Sequence, residues 1–200
     1  MNSLASPLSQ PLGTDEDFDS LLPLKTRMLS SRHWTPVSIA VRAAEYLAQH
    51  EATKVLDIGA GVGKFCLVAA SHSPKGEFFG VEQRESLVRL SKKLAQRCQI
   101  QRAHFIHANM LNIDFSNYDA FYFFNAFEET LDLTDKIDED VQYNPNQYLD
   151  YTQYIHDQFE MLPIGTRIVT YCSPNSIIPE HYVMIASDVK GKLKFWEKKY

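Results

Sequence analysis

From residue 37 the apolar positions fall on one helical face, and from residue 54 they gather into short buried runs separated by further helical stretches. Val37, Ala40, Val41, Ala44, Leu47 and Ala48 recur at i, i+3, i+4 and i+7, which predicts a helix ending near His50. Thr35 stands where an N-cap is expected, and Pro36 suits the first turn. The pattern then predicts a strand over 54–58, a helix over 64–71, a strand over 78–82 and a helix over 84–98. In that second helix Leu87, Leu90, Ser91 and Leu94 share a face. Strands follow over 104–107 and 118–125, the latter unusually aromatic. A helix over 147–161, a strand over 167–172 and a closing hairpin (181–189 and 193–198, with Gly191 in its turn) complete the pattern.

Strands that alternate with helices imply a doubly wound, mostly parallel sheet covered on both faces. With the hairpin added, the expected fold class is α/β: a seven-stranded sheet ending in an antiparallel hairpin, in a three-layer α/β/α sandwich. Residues 35–200 form this one domain. Residues 1–34 read as an extension, flexible over its first part and holding a short helix or two broken at Pro23.

Composition narrows the function classes. The 200 residues are 44 % hydrophobic and 22 % charged, ordinary values for a globular chain, so disorder throughout is excluded. The net charge of −5 argues against a protein built mainly to grip nucleic acid. Cys66, Cys98 and Cys172 are far apart and make no C-x-x-C pair, so neither a disulfide framework nor a zinc site is expected, and a reducing compartment fits. His104 and His107 are three apart on a strand and so face opposite ways; no metal is expected. The first residues lack the features of a signal peptide, and no apolar run approaches the ~18 residues that span a bilayer. A cytoplasmic protein without membrane contact is expected.

The sharpest motif is Asp57-Ile58-Gly59-Ala60-Gly61-Val62-Gly63. A buried strand runs into three glycines and then a helix. Glycine has no Cβ, so the chain can bend sharply and lie directly against a ligand, at the strand end where open α/β sheets bind theirs. A phosphate loop is ruled out: Gly63-Lys64 is present, but Ile58 stands at the first glycine's place and Phe65 at the Ser/Thr. A dinucleotide fingerprint fits less well, since its third glycine comes one residue early, but a nicotinamide-dependent oxidoreductase stays open as an alternative. So does a non-catalytic scaffold that keeps the fold. Glu82 ends the second strand at about the ~20-residue spacing of a ribose-binding acid, and its two oxygens match two ribose hydroxyls.

Asp57-x-Gly59-x-Gly61-x-Gly63 resembles the first motif of the class I S-adenosyl-L-methionine-dependent methyltransferases, and the resemblance covers roughly residues 35–200. It implies that Asp57 helps hold the methionine amino group and that the backbone of Gly59, Ala60, Gly61 and Gly63 lies along the cofactor. It further implies that Glu82 takes the ribose and Gln83 flanks the adenine. After the third strand the family often carries an Asp on the adenine amino group; here Asn109 stands there with an amide oxygen instead, and Met110 is placed to pack on the base. Trp34, before the first helix, is read as an anchor rather than a lid.

The end of the fourth strand faces the transferred methyl in this family. It reads Asn125-Ala126-Phe127 here, without the prolines of the nucleobase methylases. Asn125 is the candidate for orienting the acceptor and Phe127 for packing against it. The Asp57–Gly63, Gly80–Glu82 and Asn125–Phe127 segments also resemble, more briefly, the Dot1-like protein lysine methyltransferases. The connection 128–140 carries seven acidic side chains and one lysine, which suits attraction of a basic acceptor. The acceptor's identity stays open, with a protein or small-molecule amine favoured over nucleic acid.

Overall fold

Each strand meets its neighbours as the alternation demands. In a computed structural model of the protein, which describes residues 12–124, 137 and 145–200, the strands are β1 (Thr53–Ile58), β2 (Gly76–Glu82), β3 (Ala103–His107), β4 (Ala120–Phe124), β5 (Arg167–Tyr171), β6 (Tyr182–Asp188) and β7 (Leu193–Lys198). They lie in the order β3-β2-β1-β4-β5-β7-β6. β7 alone runs against its neighbours. The order reverses between β1 and β4, and the carboxyl end of β1 therefore opens onto the crevice where such sheets bind ligands.

Successive residues of each strand enter opposite layers. Val55, Phe78, Tyr122, Val169 and Phe195 pack with α4 (Val37–Leu47), α5 (Lys64–His72) and α6 (Glu85–Arg97). Leu56, Phe121, Phe123, Ile168 and Trp196 pack with α7 (Pro145–Met161) and with the short 3-10 turns at Met110–Asn112 and Phe115–Asn117. Coverage on both faces explains why β1 is buried at five of its six positions rather than at alternate ones.

The extension carries short helices where they were expected, with Pro23 at a break between them, while residues 1–11 of its first part lie outside the described residues. Residues 12–34 form α1 (Asp15–Asp19), α2 (Leu24–Arg27) and α3 (Ser30–His33), and they bury Phe18, Leu22 and Trp34 against the α4–α5 layer. Thr14 and Asp17 close a reciprocal capping box on α1. Thr35, expected to cap α4, does not. Its hydroxyl lies 3.1 Å from that of Tyr122, deep against β4. The Val37 N–H at the start of α4 is taken by Asp15 Oδ1 at 2.9 Å instead. A carboxylate from the preceding helix cluster supplies the cap because the local hydroxyl has a buried partner.

Candidate functional site

The glycine turn between β1 and α5 is fixed mainly to β2. Gly59, Gly61 and Gly63 have φ of 78°, 54° and 75°, in the left-handed region that side chains disfavour. Gly59 N–H and Ala60 N–H both donate to the Val81 carbonyl, at 3.0 and 2.9 Å. Gly61 N–H donates to Glu82 Oε2 at 3.1 Å, and Gly63 N–H to the Ala60 carbonyl at 2.8 Å. These four amide donors are thus used inside the protein. The turn offers a bare, close surface at Gly59. A side chain at Gly61 would strike the Trp34 ring, with its Cβ 2.5 Å from a ring carbon, and one at Gly63 would strike Phe105.

Two carboxylates flank the turn. Asp57 is buried beneath it, where the Cys66 thiol donates to Oδ2 at 3.7 Å. Burial pushes its pKa up to about 8; the Cys66 hydrogen bond opposes this shift, and the Glu82 charge adds to it. Asp57 therefore holds a proton at neutral pH. Burial also raises the Cys66 thiol, so that thiol stays protonated. Glu82 stands at the end of β2. Besides Gly61 it accepts the Arg84 N–H at 2.9 Å, and the Arg84 guanidinium lies 3.6 Å from Oε1.

Beside Glu82 a recess open to solvent is lined by Gly59, Val81, Glu82, Gln83, Arg84, Asn109, Met110 and Tyr151. The structure so brings together five residues singled out from the sequence: Gly59, Glu82, Gln83, Asn109 and Met110. They come from the ends of β1, β2 and β3. Asp57, Ala60, Gly61 and Gly63 shape the wall from behind without lining the recess. Asn109 is engaged locally: its Oδ1 accepts the Leu111 N–H at 2.9 Å, and its Nδ2 donates to the Tyr151 hydroxyl at 3.0 Å. Met110 is both a core residue and a recess residue. Asn125, Phe127 and the acidic connection lie outside the described residues.

Arg84 and Tyr151 were not found from the sequence. Arg84 resembles any helix-start residue, and Tyr151 sits on α7, 42 positions beyond the Asn109 it bonds. No local pattern announces such a contact. Trp34 is an anchor, as read: it is buried, and its Nε1–H donates to the Thr26 carbonyl at 3.0 Å. Among the described residues no helix is long and apolar enough to cross a membrane, and no group of three or more His, Cys, Asp or Glu is placed to hold a metal.

A family model described as a methyltransferase domain matches residues 49–197. The chain belongs to this methyltransferase-domain family. Solved structures share its fold. An RNA methyltransferase from Salinibacter ruber, in complex with S-adenosyl-L-homocysteine, is 20 % identical, with a TM-score of 0.56 over 82 % of this chain and 93 % of that one. An S-adenosylmethionine-dependent O-methyltransferase from Thermotoga maritima is 17 % identical, with a TM-score of 0.57 over 89 % and 72 %. TrmN from Thermus thermophilus is 15 % identical, with a TM-score of 0.58 over 86 % of this chain and 52 % of that one. Comparison with curated proteins gives no significant match. The expected class I methyltransferase, with S-adenosyl-L-methionine as its cofactor, is borne out by the family and the seven-stranded fold. As the named acceptors of these structures differ and all lie far in sequence, they fix the fold and leave the acceptor open.

Proposed function

We propose that this methyltransferase binds S-adenosyl-L-methionine with its adenosine in the Glu82–Tyr151 recess and transfers the methyl group to an amine, on a protein side chain or a small molecule rather than on nucleic acid. The observation that carries the cofactor reading is the combination at the turn: the amides of Gly59, Ala60, Gly61 and Gly63 are taken inside the protein, and the Glu82 carboxylate stands beside them. A dinucleotide brings a pyrophosphate, which needs free N–H groups and is repelled by carboxylates. S-adenosyl-L-methionine brings an ammonium and a sulfonium, and no phosphate.

When bound, the cofactor supplies an electrophilic methyl group for in-line displacement. The chain's contribution is positional. Glu82 offers carboxylate oxygens, the acceptors that suit ribose hydroxyls. Gly59 lets the ligand approach the main chain. Gln83, Met110 and Tyr151 border the base. Holding nucleophile and methyl in line supplies much of the rate, and no dedicated base is required once the acceptor is neutral.

The amine reading rests on the sequence of the acceptor side: Asn125 and Phe127 suit an amine and its alkyl stem, and the acidic connection 128–140 suits a basic acceptor. The brief resemblance to the Dot1-like enzymes points the same way. Cys66, Cys98 and Cys172 form no disulfide, which suits a cytoplasmic setting. Calorimetry with S-adenosyl-L-homocysteine and NAD tests the cofactor, with binding of the first alone expected. Radiolabelled methyl transfer to lysate, fractionated into protein, RNA, DNA and metabolites, tests the acceptor. Label confined to RNA or DNA refutes the amine proposal.

A further inference from the structure

Lys64 has no part in the cofactor contacts above, and local chemistry disfavours it where it stands. It is the first residue of α5 and only 2 % exposed. A cation at a helix start opposes the helix dipole, and a buried ammonium is costly unless it is paired. Both penalties are offset from the N-terminal helices. Lys64 Nζ lies 2.7 Å from Asp15 Oδ1 and 3.3 Å from Asp19 Oδ1. It donates to Ser30 Oγ at 3.5 Å and sits 5.1 Å from the centre of the Phe18 ring. Ser30 Oγ in turn donates to Asp19 Oδ1 at 2.7 Å. One ammonium therefore holds α1 and α3 together.

The same segment touches the turn a second time. The Trp34 ring fills the space over Gly61 so closely that a Cβ there would lie 2.5 Å from it. Residues 15–34 are thus seated on the glycine turn at two points, Gly61 and Lys64, on either side of Gly63.

We propose that Lys64 is a positioning residue for the cofactor: by gripping Asp15, Asp19 and Ser30 it holds residues 15–34, with Trp34, against the back of the glycine turn, so that Gly61 keeps its bond to Glu82 and the recess in front keeps its shape. The proposal rests on the cofactor reading given above. Removing the ammonium releases the wall without stranding a buried charge, because Asp15 and Asp19 are 47 % and 22 % exposed and rehydrate. Removing Asp19 alone is milder, since the ammonium keeps Asp15 at 2.7 Å.

The test uses the whole chain and two readouts. Trypsin cleavage after Lys25 and Arg27, both exposed in the segment, is followed by mass spectrometry, and S-adenosyl-L-homocysteine affinity is followed by calorimetry. Lys64→Met is expected to speed that cleavage and weaken the ligand, each by about tenfold or more, with Lys64→Arg recovering part of both. Phe159→Leu, a core change in the opposite layer, provides the baseline: a merely structural loss lowers Tm and leaves ligand affinity unchanged. If Lys64→Met does not fold, Asp19→Asn replaces it, with the same directions and about threefold effects. A folded variant whose segment is cleaved faster while ligand affinity stays within twofold overturns the proposal alone, as does unchanged cleavage. Failure of the unaltered protein to bind S-adenosyl-L-homocysteine overturns the cofactor reading and this proposal with it.

Discussion

Replacing Glu82 with glutamine keeps the side chain's shape and removes one charge and one acceptor. In the folded protein Oε2 accepts Gly61 N–H and Oε1 accepts Arg84 N–H, with the Arg84 guanidinium beside it. A glutamine presents one oxygen and one NH2 to those two donors, so one backbone N–H is left facing a donor. An unsatisfied buried group costs about 1–3 kcal/mol, which for a chain of this length lowers Tm by roughly 2–4 °C per kcal/mol. The ligand loses separately. A ribose hydroxyl bonded to a carboxylate contributes about 1.5–3 kcal/mol, so its loss weakens S-adenosyl-L-homocysteine binding by about 10- to 150-fold. Calorimetry well below the variant's melting temperature separates the two effects, and scanning fluorimetry gives the first alone. Glu82→Asp, which keeps the charge but withdraws it by one methylene, is expected between the two proteins. A folded Glu82→Gln protein that binds S-adenosyl-L-homocysteine within twofold of the parent refutes the ribose assignment.

Asp57 gives a pH test. Its carboxyl is neutral in the folded protein up to about pH 8 but ionises near 3.8 in the unfolded chain. The stability it contributes is therefore complete below pH 3.8 and is lost as pH rises towards 8, by at most about 1.4 kcal/mol per unit. Asp57→Asn should flatten the fall in Tm between pH 5 and 8; an unaltered slope means the acid is ionised in the fold. Gly63→Ala should lose about 1–3 kcal/mol in denaturant unfolding, since its Cβ would strike the Phe105 ring and its φ is positive. Full stability of that variant excludes the close packing. Asn125→Ala is expected to lower kcat and kcat/KM together while leaving cofactor affinity unchanged; weak cofactor binding with normal turnover at saturation reverses the assignment.

The elements were legible in the sequence because burial on both faces writes itself into local runs. β1, the glycine turn and α5 were readable to within a residue or so, and β7 matched its predicted span. Five of the recess residues were readable too, since each sits at the end of a strand that the pattern had already located. What escaped the reading is side-chain pairing between distant segments. Thr35 looks like a cap until Tyr122, 87 positions away, takes its hydroxyl. Lys64 looks like a broken phosphate loop until Asp19, 45 positions earlier, explains its charge. Tyr151 belongs to a helix whose apolar stripe marks it only as core. Periodicity reports which face is buried, and says nothing of which polar groups meet there.

The placement of β7 has a consequence for how the sheet is assembled. β7 follows β6 in the chain yet lies between β5 and β6, so β6 has no partner in the sheet until β7 is in place. Among the described residues its strand pairing is with β7 alone, across the tight turn at Gly191, a local contact that forms within microseconds once the chain collapses. The hairpin, rather than either strand singly, is then the unit that docks onto β5. Until it docks, β5 presents an open row of backbone donors and acceptors flanked by Ile168 and Val169, a template for pairing with other chains. Changes that slow the hairpin, at Gly191 or in the turn around it, should therefore appear as aggregation during refolding, beyond the stability lost to the strain of a side chain at that positive φ.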